Sequence, residues 1–488
     1  MKVLLSCSIP LIRLLGKPIL DRTLYNLENK LFLWSFFCFP CKIEEKTRGL
    51  SMKVVGIIAE YNPFHNGHAY QIKKVKEELN ADYVVVAMSG NFVQRGTPAL
   101  IDKYARANMA LVSGADLIIE LPVLWATASA EYFAMAGVTL FEKMGCVNNI
   151  CFGAETDDLT TLSMLADILI EEPNAYREVL SSYLKEGFSF PTARSKALCD
   201  YLMQSNLQSD TTMISSILNE PNNILAIEYL KALKRRNSAI VPHIIKRKGA
   251  GYHEESILPS EDCTPSMPTA SATAIRKGLF EHLEASLRTR ITSVPPHLEN
   301  TMPEDVLAIL NEYLTNSTLI FPNDFSPTLC YKLLSANTED LAKIGDCNAD
   351  LANRILKNRS GLIKFEQFCE LCKSKDVTYT RLSRILTHLF LEIKEEDYSF
   401  GKALDYIPYL RIIGFNKAAS PLLKELKKNA VVPVISKLAN ATALLEEDAL
   451  TILKKDIFAS DLYAHISAIL TETPFVNEYT RNIVIIDS

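Results

Sequence analysis

The stretch Val54–Tyr70, VVGIIAEYNPFHNGHAY, decides how the rest of the chain is read. Val54 to Ala59 is a short apolar run rich in β-branched residues, the pattern of a buried strand. It breaks at Glu60-Tyr61-Asn62-Pro63, where Pro63 pushes Asn62 away from helical angles, so the strand ends in a turn. His65, Asn66, Gly67 and His68 follow, and a helical pattern then runs through Leu79. Two histidines three residues apart at a helix start point to one side, where the first free backbone N–H groups also point. Gly67 leaves no Cβ between that backbone and an incoming phosphate. H-x-x-H alone occurs by chance in many proteins. The strand in front, the interposed glycine and the position at the start of an α/β pattern together predict a site for nucleotide phosphates.

Bulk properties set the frame around this site. A chain of 488 residues suits about two to four domains. With 48% apolar and 22% charged residues, it has the composition of a globular protein with a large core. A net charge of −5 excludes global basicity, so any nucleic-acid surface must be a local patch, and no DNA partner is expected. The eleven cysteines form no small-domain disulfide framework, and Cys146, Cys151, Cys199 and Cys330 lie in apolar segments. That usage fits reduced thiols and a cytoplasmic location. No apolar run reaches the ~18 residues of a membrane span, so no membrane partner is expected. Leu31–Cys41 is apolar but shorter, and Glu44–Arg48 offers no small-residue cleavage site. Residues 1–51 therefore read as an N-terminal extension, not native or disordered, with Met52 opening the first compact domain. The pairs Cys38/Cys41 and Cys369/Cys372 have no neighbouring histidine, and no metal site is expected from them.

From 52 to about 280, strands and helices alternate. Further strands are expected at Tyr83–Met88, Ala115–Leu121, Asn149–Phe152 and Ala239–Ile245, with helices at Asp102–Val112, Glu131–Lys143 and Ile224–Leu233. Alternation predicts an α/β domain with a parallel sheet and right-handed crossovers, its ligand beyond the carboxyl ends of the strands. Those ends carry Tyr61–His68, Ser89–Asn91 and Gly153–Glu155. Pro221-Asn222-Asn223 precedes a helix, so one asparagine reads equally as an N-cap or a ligand contact. Lys246, Arg247 and Lys248 reach a strand end before the glycine-rich turn Gly249–Gly251, a placement suited to anions. Further on, ASATAIR (Ala270–Arg276) lets Ser271 or Thr273 cap a helix whose N–H groups hold a phosphate, with Arg276 one turn on.

The His65-Asn66-Gly67-His68 turn and the Ser271–Arg276 helix start resemble the HIGH-type nucleotidylyltransferase superfamily. Ala272 stands where that superfamily often has a second hydroxyl residue. With EYNPFHNGH, MSGNFVQRG, Gly153, PNNILAIEYLKAL and KRKGAGYH, the chain from Met52 onward resembles the tRNA(Met) cytidine acetate ligase family. The resemblance implies a Rossmann-like catalytic domain, ATP, acetate and elongator tRNA(Met), with acetyl transfer to N4 of the wobble cytidine. It implies ATP contacts on Ile57, Ile58, Ala59, Glu60, Tyr61, Asn62, Pro63, Phe64, His65, Asn66, Gly67, His68, Ala69 and Tyr70. It adds Gly153, Asn222 or its neighbour Asn223, and Arg247. His65 and His68 are the candidate catalytic residues, and Mg²⁺ is expected to arrive with ATP. Two alternatives use the same motifs: a nucleotidylyltransferase acting on a small phosphorylated metabolite, and a non-catalytic tRNA-binding protein.

Residues 281–488 read as a mostly α-helical domain, with a linker or loop at Ser293–Pro303. Arg354, Lys357, Arg359, Lys364, Lys373, Tyr379, Arg381, Arg384, Arg411 and Lys417 are candidates for its tRNA-facing surface.

Overall fold

A computed structural model describes residues 52–205, 211–247, 270–285 and 290–487. The N-terminal extension, Cys38 and Cys41, Lys248 and the turn Gly249–Gly251 lie outside the described residues. The expected strands are present as β1 (Val54–Ala59), β2 (Tyr83–Ser89), β5 (Leu117–Leu121), β6 (Asn149–Ala154) and β7 (Val241–Lys246). A two-stranded ribbon, β3 (Phe92–Val93) and β4 (Thr97–Pro98), lies between β2 and β5 in the chain. The five main strands pair in parallel in the order β5-β2-β1-β6-β7. In chain order that is third, second, first, fourth, fifth, so the winding reverses between β1 and β6. Strands buried on both faces explain the unbroken apolar runs. Along β2, Val84, Val86 and Met88 enter one core while Val85 and Ala87 enter the other. The helices Asn66–Glu78, Lys103–Val112 and Ala272–Ala285 supply the first core; Ala130–Met144 and Pro221–Arg235 supply the second.

The sheet does not end with these strands. β8 (Leu410–Asn416) pairs antiparallel with β5, and β9 (Val434–Ile435) and β10 (Val484–Ile486) pair with β8. Residues after 280, expected to be helical, thus complete the same sheet, and Met52–Ser488 forms one compact unit. The stretch Ser293–Pro303, expected as a linker or loop, is a packed loop with one short helix: Val294, Leu298, Thr301 and Met302 are buried. Its backbone also anchors the first helix, since Asn66 donates from N to Thr301 O (3.0 Å) and from Nδ2 to Asn300 O (2.8 Å). Cys369 and Cys372 are core residues of the helix Phe365–Cys372. Among the described residues no helix is long and apolar enough to cross a membrane.

Two of the contacts that bind the chain after 280 to the α/β part stand out. Where β5 meets β8, four buried charges cluster. Lys103 Nζ lies 2.6 Å from both Glu120 and Glu478, and Arg411 lies 2.9 Å from Glu120 and 2.6 Å from Glu478. On the β3–β4 loop, Gly96 O accepts from Ser383 Oγ and Thr387 Oγ1, both at 2.7 Å, on the helix Tyr379–Leu391. Gly96 has φ +69°, and a Cβ there would lie 2.3 Å from Arg384 Cα. Gly96→Ala therefore meets both left-handed strain and a backbone clash. It is expected to lower stability by about 2–4 kcal/mol in urea titration, with no change in sites remote from the loop.

Candidate active site

The carboxyl ends of β1, β6 and β7 border a cleft of about 340 Å³ at the point where the winding reverses. His65 is the N-cap of the first helix, and its Nδ1 accepts from Gly67 N–H at 3.0 Å. His68 Nδ1 accepts from His65 N–H at 3.3 Å. The two rings stack, with centroids 3.8 Å apart and planes inclined by 28°. Tyr61 and Phe64 hold the His68 ring edge-on and tilted, at 4.8 and 5.4 Å. Because each Nδ1 is an acceptor, each neutral ring carries its proton on Nε2 and has that N–H left to offer. Both rings are neutral at pH 7. Burial, then Arg247 and Arg276, lowers His65 to about 3; burial, then His65 and Arg247, lowers His68 well below the ordinary range. Gly67 has a local reason as well, since a Cβ would lie 2.9 Å from His65 Cε1.

Three arginines line the same cleft. Arg276, on the helix Ala272–Ala285, donates from Nη1 to Asn62 O (2.6 Å) and from Nη2 to Thr273 Oγ1 (3.1 Å). Burial lowers it to about 10, opposed by Glu60, and it stays charged at pH 7. Ser271, not Thr273, caps this helix by accepting from Ala274 N–H at 3.1 Å. Arg247, at the end of β7, donates from N to Ala154 O (2.9 Å), and its side chain lies beside Gly153, where a Cβ would sit 3.4 Å from its Cγ. Arg95 comes from the β3–β4 loop.

Of the sequence candidates, Ile58, Ala59, Glu60, Tyr61, Asn62, His65, His68, Gly153, Asn222, Arg247, Ser271, Thr273 and Arg276 line this one cleft. Ile57, Pro63, Phe64, Asn66, Gly67, Ala69 and Tyr70 do not. Ile57 and Phe64 are core, and Tyr70 lies on the helix under Lys74, whose Nζ is 5.7 Å from the ring centroid. Asn223 is also off the cleft, and neither asparagine is an N-cap. The helix begins at Pro221 behind Glu220, so both sit within its first turn. Asn223 Oδ1 accepts from Glu155 N–H (2.9 Å) and Thr156 N–H (3.2 Å), tying β6 to the helix, while Asn222 Nδ2 donates to Glu155 Oε1 (2.5 Å). Lys246 is exposed and pairs with Asp157 at 3.4 Å, away from the cleft.

Sequence patterns did not single out Gln71, Gln94, Arg95, Phe133, Leu225 or Tyr229, which also line the cleft. The polar pair after β3 lies in MSGNFVQRG, and Leu225 and Tyr229 lie in PNNILAIEYLKAL, so the motifs passed through them without marking them as site residues. Arg106 is a further positioning residue. Fully buried, it donates from Nη1 to Glu60 O (2.6 Å) and Ser89 O (3.1 Å), from Nη2 to Gly90 O, and from Nε to Ile101 O (3.1 Å). One guanidinium thereby fixes the ends of β1 and β2.

The basic candidates after 280 separate by exposure. Arg354, Lys357, Arg359 and Lys364 are exposed on consecutive turns. Arg411 is buried in the ion cluster and faces no surface, because Glu120 and Glu478 hold it inside. Arg381 and Arg384 pair with Asp346, Lys417 with Asp487 and Lys373 with Glu370.

Comparison with known proteins follows the same lines. The family described as HIGH Nucleotidyl Transferase matches residues 52–474. The tRNA(Met) cytidine acetate ligase of Clostridium perfringens is 40% identical over 417 residues, 85% of this chain and 96% of that protein. That of Acetivibrio thermocellus is 38% identical over 435 residues, 89% of this chain and all of that protein. Crystal structures of Thermotoga maritima TmcAL, 29% identical, cover 90% of this chain and all of theirs. The TM-score is 0.80 for the apo form and 0.77 for the form bound with alpha-thio ATP. With its parallel sheet, its His65–His68 turn and this match along nearly the whole of the described chain, the protein belongs to the tRNA(Met) cytidine acetate ligase family of HIGH nucleotidyl transferases.

Proposed function

We propose that the chain activates acetate with ATP and transfers the acetyl group to N4 of the wobble cytidine of elongator tRNA(Met). The observation that carries this is the stacked, neutral His65–His68 pair in one cleft with Arg247 and Arg276. In the first step an acetate oxygen bonds to the α-phosphorus of ATP, and the bond from that phosphorus to the β-phosphate oxygen breaks. Pyrophosphate leaves with the electron pair. In the second, the cytidine N4 bonds to the acetyl carbon, the bond from that carbon to the adenylate oxygen breaks, AMP leaves with the electron pair, and one N4 proton is released to solvent, giving N4-acetylcytidine. The first step needs charge neutralised around phosphorus and on the leaving pyrophosphate. The Nε2–H groups of His65 and His68 donate to α-phosphate oxygens, and as neutral donors they keep their protons throughout. Arg247, Arg276 and the capped helix start at Ser271 hold the β- and γ-oxygens. Asn222 and Gly153 border the nucleotide on the β6 side.

Among the described residues no group of three or more His, Cys, Asp or Glu side chains is placed to hold a metal. Magnesium, as we propose, enters on the ATP phosphates, where it would screen their charge. The test is purified protein with ATP, Mg²⁺, labelled acetate and total tRNA, followed by nucleoside mass spectrometry. N4-acetylcytidine in tRNA(Met) is the expected product; its absence, with no acetate-dependent turnover of ATP, would refute the assignment.

The exposed strip Arg354, Lys357, Arg359 and Lys364 is the proposed contact for the tRNA backbone. Lys357→Glu with Arg359→Glu is expected to weaken tRNA binding by roughly 10-fold at moderate salt and to flatten its salt dependence. Acetyl-adenylate formation without tRNA should not change.

A further inference from the structure

We propose that Glu60 is the general base of the transfer step, its carboxylate taking one proton from N4 of the cytidine as the amide bond forms. The proposal rests on the ligase assignment above and adds to it the group through which that proton reaches solvent.

The second step needs a proton acceptor. An exocyclic cytidine amine shares its lone pair with the ring and is a weak nucleophile. Once N4 bonds to the acetyl carbon it carries a positive charge unless one of its protons leaves, so taking that proton during attack lowers the barrier. The acceptor must line the cleft that holds the adenylate, and it must have a lone pair to spare.

Most polar groups of the cleft fail the second condition. His65 and His68 each commit Nδ1 to a backbone N–H and carry their proton on Nε2, and burial depresses the basicity of both. The arginines have no acceptor atom. The hydroxyls of Tyr61 and Tyr229 hold their protons more tightly than usual, Tyr61 through burial, then Cys151, and Tyr229 through burial, then Glu60. The remaining alcohols and side-chain amides are far too weakly basic. Among the described residues that line the cleft, Glu60 alone has a carboxylate.

Its setting suits the task. Glu60 follows the last residue of β1, and its main-chain O accepts from the buried Arg106 Nη1 at 2.6 Å. Oε1 accepts from Gln94 N–H at 3.0 Å, and Gln94 is itself held through Nε2 by Ala128 O at 3.1 Å. Oε2 has no hydrogen bond or ion pair among the described residues and is not sealed from water. One oxygen is thus anchored while the other stays open to an N–H donor. The carboxylate also stands in a cleft built for anions, where its charge opposes both ATP and acetate. Attraction to Arg276 offsets part of that cost. A site that only bound anions would do better with glutamine here; a proton acceptor needs the acid.

The test is acetyl transfer to tRNA(Met) at saturating tRNA from acetyl-adenylate supplied as such, which bypasses the first step, read as N4-acetylcytidine by nucleoside mass spectrometry. Acetate-dependent ATP–pyrophosphate exchange is measured beside it. Glu60→Gln keeps the oxygen that accepts from Gln94 N–H and loses the basicity. It is expected to lower the transfer rate about 10²–10⁴-fold, and to lower it at least about 10²-fold more than exchange. Glu60→Asp, which keeps the carboxylate on a shorter arm, is expected to transfer about 10-fold faster than Glu60→Gln. Transfer by Glu60→Gln within about 3-fold of wild type would overturn the proposal and send the proton by another route, such as the departing AMP phosphate. Equal losses of exchange and transfer would overturn it as well, placing Glu60 in the first step or in the fold. Wild-type protein without acetate-dependent exchange would refute the ligase assignment itself.

Discussion

His68→Ala is expected to lower acetate-dependent ATP–pyrophosphate exchange by about 10²–10³-fold while tRNA binding stays near the wild-type value. The Nε2–H of His68 is a preorganised donor, fixed because Nδ1 is already engaged by the His65 N–H and because Tyr61 and Phe64 hold the ring. Alanine removes the donor and the acceptor for the His65 N–H, one half of the capping box, but leaves the His65 side-chain cap on Gly67 N–H in place. His65→Ala removes a cap as well, and mixes a stability loss of about 1 kcal/mol into the kinetics, so His68 is the cleaner test. The pH profile supplies a second readout. Burial keeps His65 neutral down to about 3 and His68 neutral well below its ordinary range. A group whose pKa in the fold is lowered does not protonate as pH falls through 6.5, so neither ring gives the rate an acid limb there. A limb near pH 6.5 that disappears in His68→Ala would overturn the neutral-donor role, as would unchanged exchange in that variant.

Arg411→Ala is expected to destabilise the protein by about 3–5 kcal/mol, measured by urea titration. The side chains of Lys103, Glu120, Arg411 and Glu478 are at most 5% exposed, so water cannot compensate a lost partner. Two cations balance two carboxylates. Removing Arg411 leaves Lys103 alone with both. Asp456 magnifies the effect: burial, then Glu120, already pushes it up to about 7, and it accepts from Val123 N–H and Tyr409 OH. With Arg411 gone, Glu120 is offset only by Lys103, which Glu478 shares, and Asp456 rises further. A loss below about 1 kcal/mol would show that the cluster is not electrostatically coupled.

The parts of the fold legible from sequence are those whose signals are local. Val54–Ala59, Tyr83–Met88 and the helix after His68 announce themselves because buried parallel strands are unbroken apolar runs and helices repeat at 3.6 residues. The Ser271 cap and Arg276 are similarly local. Arg95 is not: its place depends on β3 and β4, each two residues long, and on Ser383 and Thr387, which lie nearly three hundred residues away in the chain. β8 escapes sequence reading because its partner β5 is equally distant, and because Arg411 within it looks like a surface residue until Glu120 and Glu478 are placed beside it. The helix Glu447–Thr471 is obscured by the buried polar residues Asp456 and Ser460 within its apolar stripe. The asparagines after Pro221 mislead for another reason. Cap and ligand contact use the same residue types, and only the position of Glu220 separates them.

The pairing of β5 with β8 has a consequence for biosynthesis. Roughly 300 residues separate the two strands, so at ~5–20 residues per second a ribosome needs roughly 15–60 s to deliver the second after the first. During that interval the outer edge of β5 offers open hydrogen-bonding groups to any other chain, and Glu120 and Lys103 have no Arg411 or Glu478 beside them. The nascent α/β part cannot finish on its own. Its completion waits on β8, made near the end of the chain, and pairings of such long sequence separation form late because loop closure must come first.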